Sequence, residues 1–176
     1  MSENFKREEP SRLWIVQFYV SGPLFALRAE DIKEVVHMAE LLKPPGLPSF
    51  LAGFIVIEGQ AVPVVALSVL FGSSKLLIDL YTPLVILKGK KTPVALIVES
   101  VINVEPIEEA QLYPLDDGTI FNQCVSKSGK NRDGQTFYLL SPDRLLLAQE
   151  EQRIAEFQVI TQKRLTKLAL EETVDE

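Results

Sequence analysis

The chain has one cysteine and one histidine in 176 residues, and each scarcity excludes a class of chemistry. A lone thiol, Cys124, cannot close an internal disulfide, so a reducing compartment is the simplest setting. With no Cys or His partner at ligand spacing, His37 cannot supply a His-rich metal site and reads as a surface or strand-packed side chain. Long apolar runs are lacking too: the most apolar stretch, 54–71, is broken by Glu58, Gly59 and Pro63 and is too interrupted for a membrane helix. Residues 1–12 are polar, read as a disordered leader, and lack the apolar core of a signal peptide. Basic residues number 18 against 24 acidic ones, a net charge of −6, which argues against non-specific phosphate binding. A phosphate-binding glycine loop, a Gly-x-Ser-x-Gly elbow and a Glu-rich metal motif are all missing. The expectation is a soluble, cytoplasmic, non-enzymatic protein that needs no cofactor.

What is present is a large apolar fraction, 47%, distributed in short strand-like runs. Residues 13–20 and 24–29 flank the turn Ser21-Gly22-Pro23 and predict a hairpin. A helical turn is expected at 30–34 and a strand at 35–38. The cluster Pro44-Pro45-Gly46-Leu47-Pro48 must be a connecting loop, because prolines lack the N–H that helices and central strands need. Strands are predicted at 54–57 and 60–66, and a short helix at 67–71. A second hairpin is predicted at 83–88 and 92–98, and a strand at 101–104 ended by Pro106. Asp116-Asp117-Gly118 signals a turn. Further strands are expected at 120–126 and 136–140, separated by a polar loop at 127–135. Ser141-Pro142 reads as the capped start of a helix running through 145–147.

Beyond Gln149, Ile154, Phe157, Ile160, Leu165 and Leu168 recur at roughly helical spacing with charges between them. This predicts an amphipathic C-terminal helix over 148–170, followed by an acidic, disordered tail at 171–176. A faint internal repeat runs through the body. The segment 25–32 resembles 94–101, and Gly59-Gln60 with the run after it resembles Gly134-Gln135 with its own. Two related small β-lobes would produce such a pattern. Many short strands already favour barrels or sandwiches.

The order of segments over 13–147 resembles the CheW-like family. Four features carry it: Phe25-Ala26-Leu27 followed by Ile32-Lys33-Glu34-Val35-Val36; the loop 44–48 followed by Phe50-Leu51-Ala52-Gly53-Phe54-Ile55; Gly59-Gln60-Ala61-Val62-Pro63-Val64-Val65, running into Leu67 and Gly72; and the hairpin ending Ala95-Leu96-Ile97-Val98-Glu99-Ser100-Val101. The resemblance implies a mostly β fold of two small packed five-stranded barrels, with short helices and the C-terminal helix added. It also implies an adaptor that joins methyl-accepting chemoreceptors to the regulatory domain of a CheA-like histidine kinase, in chemotaxis or pili-type motility. Where the family usually has Asn-Leu-Arg-Gly, this chain has Val56-Ile57-Glu58-Gly59, and where it usually has an Asp near the end of the next strand, this chain has Ala66. The family's arginine commonly pairs with a glutamate matching Glu34. Here both positions are acidic, so they must stand apart, find another cation or share a proton.

The candidate partner-binding residues are therefore Glu34, Val36, Val56, Ile57, Glu58 and Gly59. Each has a plainer reading: Glu58-Gly59 as a hairpin turn, Glu34 as an exposed charge, the apolar three as core. Lys88, Lys90 and Lys91 form a basic tip, read as a solvated turn or a partner contact. Cys124 reads as a buried, inert thiol. The C-terminal helix either packs on the barrels or mediates docking or self-association through Ile154, Phe157 and Leu165. Two other functional classes remain open: a self-assembling structural protein, and a small enzyme using carboxylates such as Glu58 or Asp116.

Overall fold

The computed structural model describes residues 9–73, 78–115 and 124–174, the side chain of Val174 excepted. The chain opens on β1 (Arg12–Tyr19) and β2 (Leu24–Arg28). A 3-10 turn, Ala29–Asp31, leads into β3 (Ile32–His37). Then follow β4 (Leu51–Ile57), β5 (Gln60–Ala66), α1 (Leu67–Leu70), β6 (Pro83–Leu87) and β7 (Val94–Ile97). The second half continues with β8 (Ser100–Glu108), β9 (Tyr113–Pro114), β10 (Val125–Lys130), β11 (Thr136–Leu140) and α2 (Ala148–Val174).

The strands form two sheets, β8-β1-β2-β11-β10-β9 and β3-β6-β7-β5-β4. Their plans match. Each has an antiparallel hairpin, β1–β2 or β6–β7, whose second strand is flanked in parallel by β11 or β5. Each parallel strand belongs to a further hairpin, β10–β11 or β4–β5. The two segment pairs that resemble each other in sequence occupy these equivalent places. The third strand of each half is exchanged: β3 leaves β2 to pair with β6, and β8 leaves β7 to pair with β1. The lobes are thus intertwined rather than consecutive along the chain. The expected pair of five-stranded barrels needs correction. One sheet has six strands, and neither strand order closes on itself among the described residues. An isolated bridge from Leu42 to Phe54 extends the β4 edge. Gly53 permits it, because a Cβ there would stand 2.7 Å from the Leu42 carbonyl oxygen.

Three apolar cores follow from strand alternation. Ile15, Leu24, Ala26, Ile107, Phe137 and Leu139 fill the first lobe. Ile55, Val62, Val64, Leu84, Ile86 and Ile97 fill the second. The opposite faces of the same strands meet between the lobes, where Phe18, Phe25, Leu27, Phe54, Val65, Val85, Leu96 and Leu140 build the largest core. Ile154 on α2 is buried in that shared core, with Phe157 and Leu165 packed against it. α2 therefore docks on the body, and the three residues offered for self-association are used internally.

Several local expectations change with tertiary context. β8 continues through Pro106 instead of ending there, because among the described residues β8 is an edge strand paired only with β1, and an edge tolerates a missing N–H. Pro63 sits inside β5 for a related reason: there β5 pairs only with β4, and its pairing to β7 begins at Val64. The polar residues Lys127–Lys130 belong to β10, held between β9 and β11, so pairing overrides their weak strand propensity. Pro142–Arg144 is a single 3-10 turn without a side-chain cap from Ser141, and α2 starts later. α2 also reaches Val174, four residues past the expected end. The turn Asp116-Asp117-Gly118 and the expected strand residues 120–123 lie outside the described residues.

Candidate partner-binding surfaces

Glu34 lies on β3, just after a bulge against β6, and Glu58 heads the turn between β4 and β5. β3 and β4 are the two outer strands of the second sheet, with three strands between them in hydrogen-bonding order. Both carboxylates are exposed, and among the described residues neither has an ion-pair partner. Arg28 instead contacts Glu30 at 3.7 Å. The acidic pair thus follows the first of its open alternatives, two solvated charges on separate strands. The other candidates divide. Val56 is 48% exposed, whereas Val36 and Ile57 are half-buried against the second-lobe core. Val35, beside Glu34, is also exposed.

The Glu58-Gly59 turn is tight, with Ile57 opposite Gln60 and positive φ at both central residues, 50° and 77°. This left-handed pair matches the twist of a β-hairpin, but it suits Asn or Gly better than Glu. What holds the turn is α2. Gln162 donates to the Gly59 carbonyl at 3.1 Å and accepts from the Ala61 N–H at 2.9 Å, and Gln158 donates to the Ala61 carbonyl at 3.0 Å. The helix therefore clamps the hairpin that carries the resemblance's most divergent residue. The two glutamines sit on the inward face of α2, a polar interruption that apolar periodicity does not flag.

A second surface went unnoticed in the sequence. The middle of β8 alternates in the opposite sense to an ordinary half-buried strand. Its inward residues are Asn103, Glu105 and Ile107, and its outward ones are Ile102, Val104 and Pro106. The inward polar pair joins a network at one end of the first lobe. Gln17, fully buried, donates to Asn103 at 2.7 Å and to Glu105, and accepts from Asn131 at 3.0 Å. The Arg132 N–H reaches Glu105 at 3.4 Å, with its guanidinium 3.8 Å away. Asn131 also organises the β10–β11 loop, its side-chain oxygen accepting from the Gln135 N–H at 2.8 Å. The consequence is an apolar outer face. Val104 stands opposite Val16, Pro106 opposite Trp14, and Trp14, Ile102 and Val104 are exposed. The signal was available in the sequence: Gln17 interrupts the apolar run 13–20, and Asn103 and Glu105 interrupt the otherwise apolar 101–107.

A cleft of about 580 Å³ lies between the 3-10 turn after β2, the β6–β7 turn, the Pro142 turn and α2. Leu87, Val94, Leu145 and Ile154 are among its apolar walls, and acids and the Lys88-Lys90-Lys91 tip share its rim. Lys90 approaches Asp143 at 3.6 Å, both exposed. Burial, then the neighbouring Glu30, raises the Asp31 carboxyl above its ordinary value. Neither Glu34 nor Glu58 lines this cleft. Burial also pushes the Cys124 thiol up to about 11, which keeps it protonated. Among the described residues no group of three or more His, Cys, Asp or Glu could hold a metal, and no helix is long and apolar enough to cross a membrane.

These features define a two-lobed β-protein whose distinctive residues lie on strand edges and turns. The family model for the CheW-like domain matches residues 15–150, and the chain belongs to that family of chemotaxis scaffolds and adaptors. A crystal structure of the scaffolding protein TtCheW from Thermoanaerobacter tengcongensis is similar, with a TM-score of 0.68 and 28% identity over 76% of this chain and 90% of that one. No curated protein matches it significantly.

Proposed function

We propose that this chain is a cytoplasmic coupling adaptor, without a reaction of its own, that joins methyl-accepting chemoreceptors to the regulatory domain of a CheA-like histidine kinase. The system it serves is chemotaxis or pili-type motility. One observation carries the reading beyond family membership: an edge strand, β8, turns its polar residues inward and its apolar ones outward. Exposing Trp14, Ile102 and Val104 has no benefit for folding, whereas an apolar edge of this kind suits a protein partner. Val56, Glu58 and Gly59 at the β4–β5 hairpin would form a second contact region, with Ile57 supporting it from the core side, and Glu34 on the opposite edge strand a third, supported by Val36. Titration calorimetry with the kinase regulatory domain and a receptor tip from the same source tests the proposal. The expected result is binding that Val104→Asp weakens while the fold is kept. Absence of binding to both partners would overturn it.

Glu58 favours a variant of this reading, a divergent adaptor with altered partner choice. A solvated glutamate stands where the resemblance expects an arginine. Glu58→Arg should keep the fold and strengthen binding to kinase domains of ordinary family systems. Unchanged selectivity would remove Glu58 from the interface.

A further inference from the structure

The last part of α2 has no tertiary partner among the described residues. Leu165 is the final side chain packed on the body, and residues 166–173 are all exposed, including Leu168 at 58% and Leu170 at 62%. So short an extension gains little from helix propensity alone. Its charges are also placed against the helix dipole. Glu171 and Glu172 stand near the C-terminal end, where cations are favoured, and the last turn has no basic residue. The intrahelical pair there, Lys167 with Glu171 at 3.9 Å, has the cation N-terminal to the anion, the weaker of the two orders.

Arg164, Leu168 and Glu172 are spaced four apart and share one helix face. That face reads cation, leucine, anion. Such a face complements itself under two-fold symmetry. Two copies aligned antiparallel about Leu168 place leucine against leucine and bring each Arg164 to Glu172 of the second copy, at both ends of the contact. Each incoming guanidinium also arrives beside the negative end of the other helix. We propose that the C-terminal end of α2 pairs antiparallel with the same segment of a second copy of this chain. This is independent of the coupling role, because it uses none of the residues assigned to partner contacts.

Sedimentation velocity on the full chain across a concentration series tests it. The expected result is a monomer–dimer equilibrium that weakens with added salt. Arg164→Glu and Glu172→Arg each create two like-charge contacts and should each weaken the dimer roughly tenfold or more. An equimolar mixture of the two variants should dimerise again, because in the mixed pair both contacts become Glu with Arg. Circular dichroism on each variant establishes that α2 is intact; both positions are exposed, so helicity should hold. A monomer at every concentration would overturn the proposal. So would a dimer indifferent to either reversal, or variants that fail to rescue each other when mixed.

Discussion

Replacing Glu105 with alanine probes the network that inverts β8. Glu105 is 6% exposed, accepts from the buried Gln17 amide and the Arg132 N–H, and faces the Arg132 guanidinium at 3.8 Å. Hydrogen bonds to a charged acceptor contribute about 1.5–3 kcal/mol, and the largely exposed arginine adds ~0–1 kcal/mol. Gln17 keeps Asn103 as acceptor for one of its two amide N–H groups, while the other loses its partner in a buried site and adds to the cost. The expected destabilisation is about 2–3 kcal/mol, or a fall in Tm of about 5–10 °C for a domain of this size. Urea and thermal unfolding followed by circular dichroism read it directly. Glu105→Gln keeps an acceptor oxygen for Gln17 and should lose about half as much. The exposed Glu109→Ala is the control, expected within about 0.5 kcal/mol of the parent. If Glu105→Ala behaves like Glu109→Ala, the network does not hold β8 in its inverted register, and the account of its apolar outer face fails.

Three further outcomes follow from the same geometry. Glu58→Asn relieves a left-handed glutamate in the β4–β5 turn and should stabilise by about 0.5–1 kcal/mol in urea unfolding, with the fold unchanged. Gln162→Ala frees the Gly59 carbonyl and the Ala61 N–H from the α2 clamp; it should cost about 1–2 kcal/mol and speed hydrogen exchange at Ala61 above all. Asp31 has a raised carboxyl pKa, so its protonated form favours the fold: that contribution is complete below 3.8 and is lost as pH rises through the folded value. Asp31→Asn should therefore raise Tm slightly at neutral pH, by well under about 1 kcal/mol in stability, and change nothing in strong acid, which a pH series of thermal melts would show.

Much of the local structure was legible because it depends on neighbours in sequence. β5 and β11 were placed at their bounds by apolar runs between turn residues, and the hairpin of 54–57 with 60–66 by Glu58-Gly59, although β4 begins three residues earlier, at Leu51. The C-terminal helix was legible from its apolar period, and the docking of Ile154, Phe157 and Leu165 was one of two readings that period allowed. Elements that rely on distant pairing were harder. Lys127–Lys130 carry no strand signal of their own, and only β9 and β11 make them a strand. Of the candidate contact residues, Glu34, Val56, Glu58 and Gly59 are exposed, while Val36 and Ile57 are partly committed to the core.

The sequence by itself determined the strand-rich composition, the punctuation of the hairpins and the internal repeat, since each follows from backbone preferences and alternation over a few residues. Only the tertiary structure decided that β3 and β8 are exchanged between the halves, because alternation assigns a face to a residue but not a neighbour to a strand. It alone decided the sense of β8. Asn103 and Glu105 would be expected outward on polarity, but Gln17 and Arg132, distant in sequence, give them hydrogen-bonding partners inside, and Asn131 in turn donates to Gln17. Once that polar end is satisfied, the two-residue period of the strand forces Val104 to the surface, and Ile102, the unpaired residue of a bulge opposite Gln17 and Phe18, is exposed beside it.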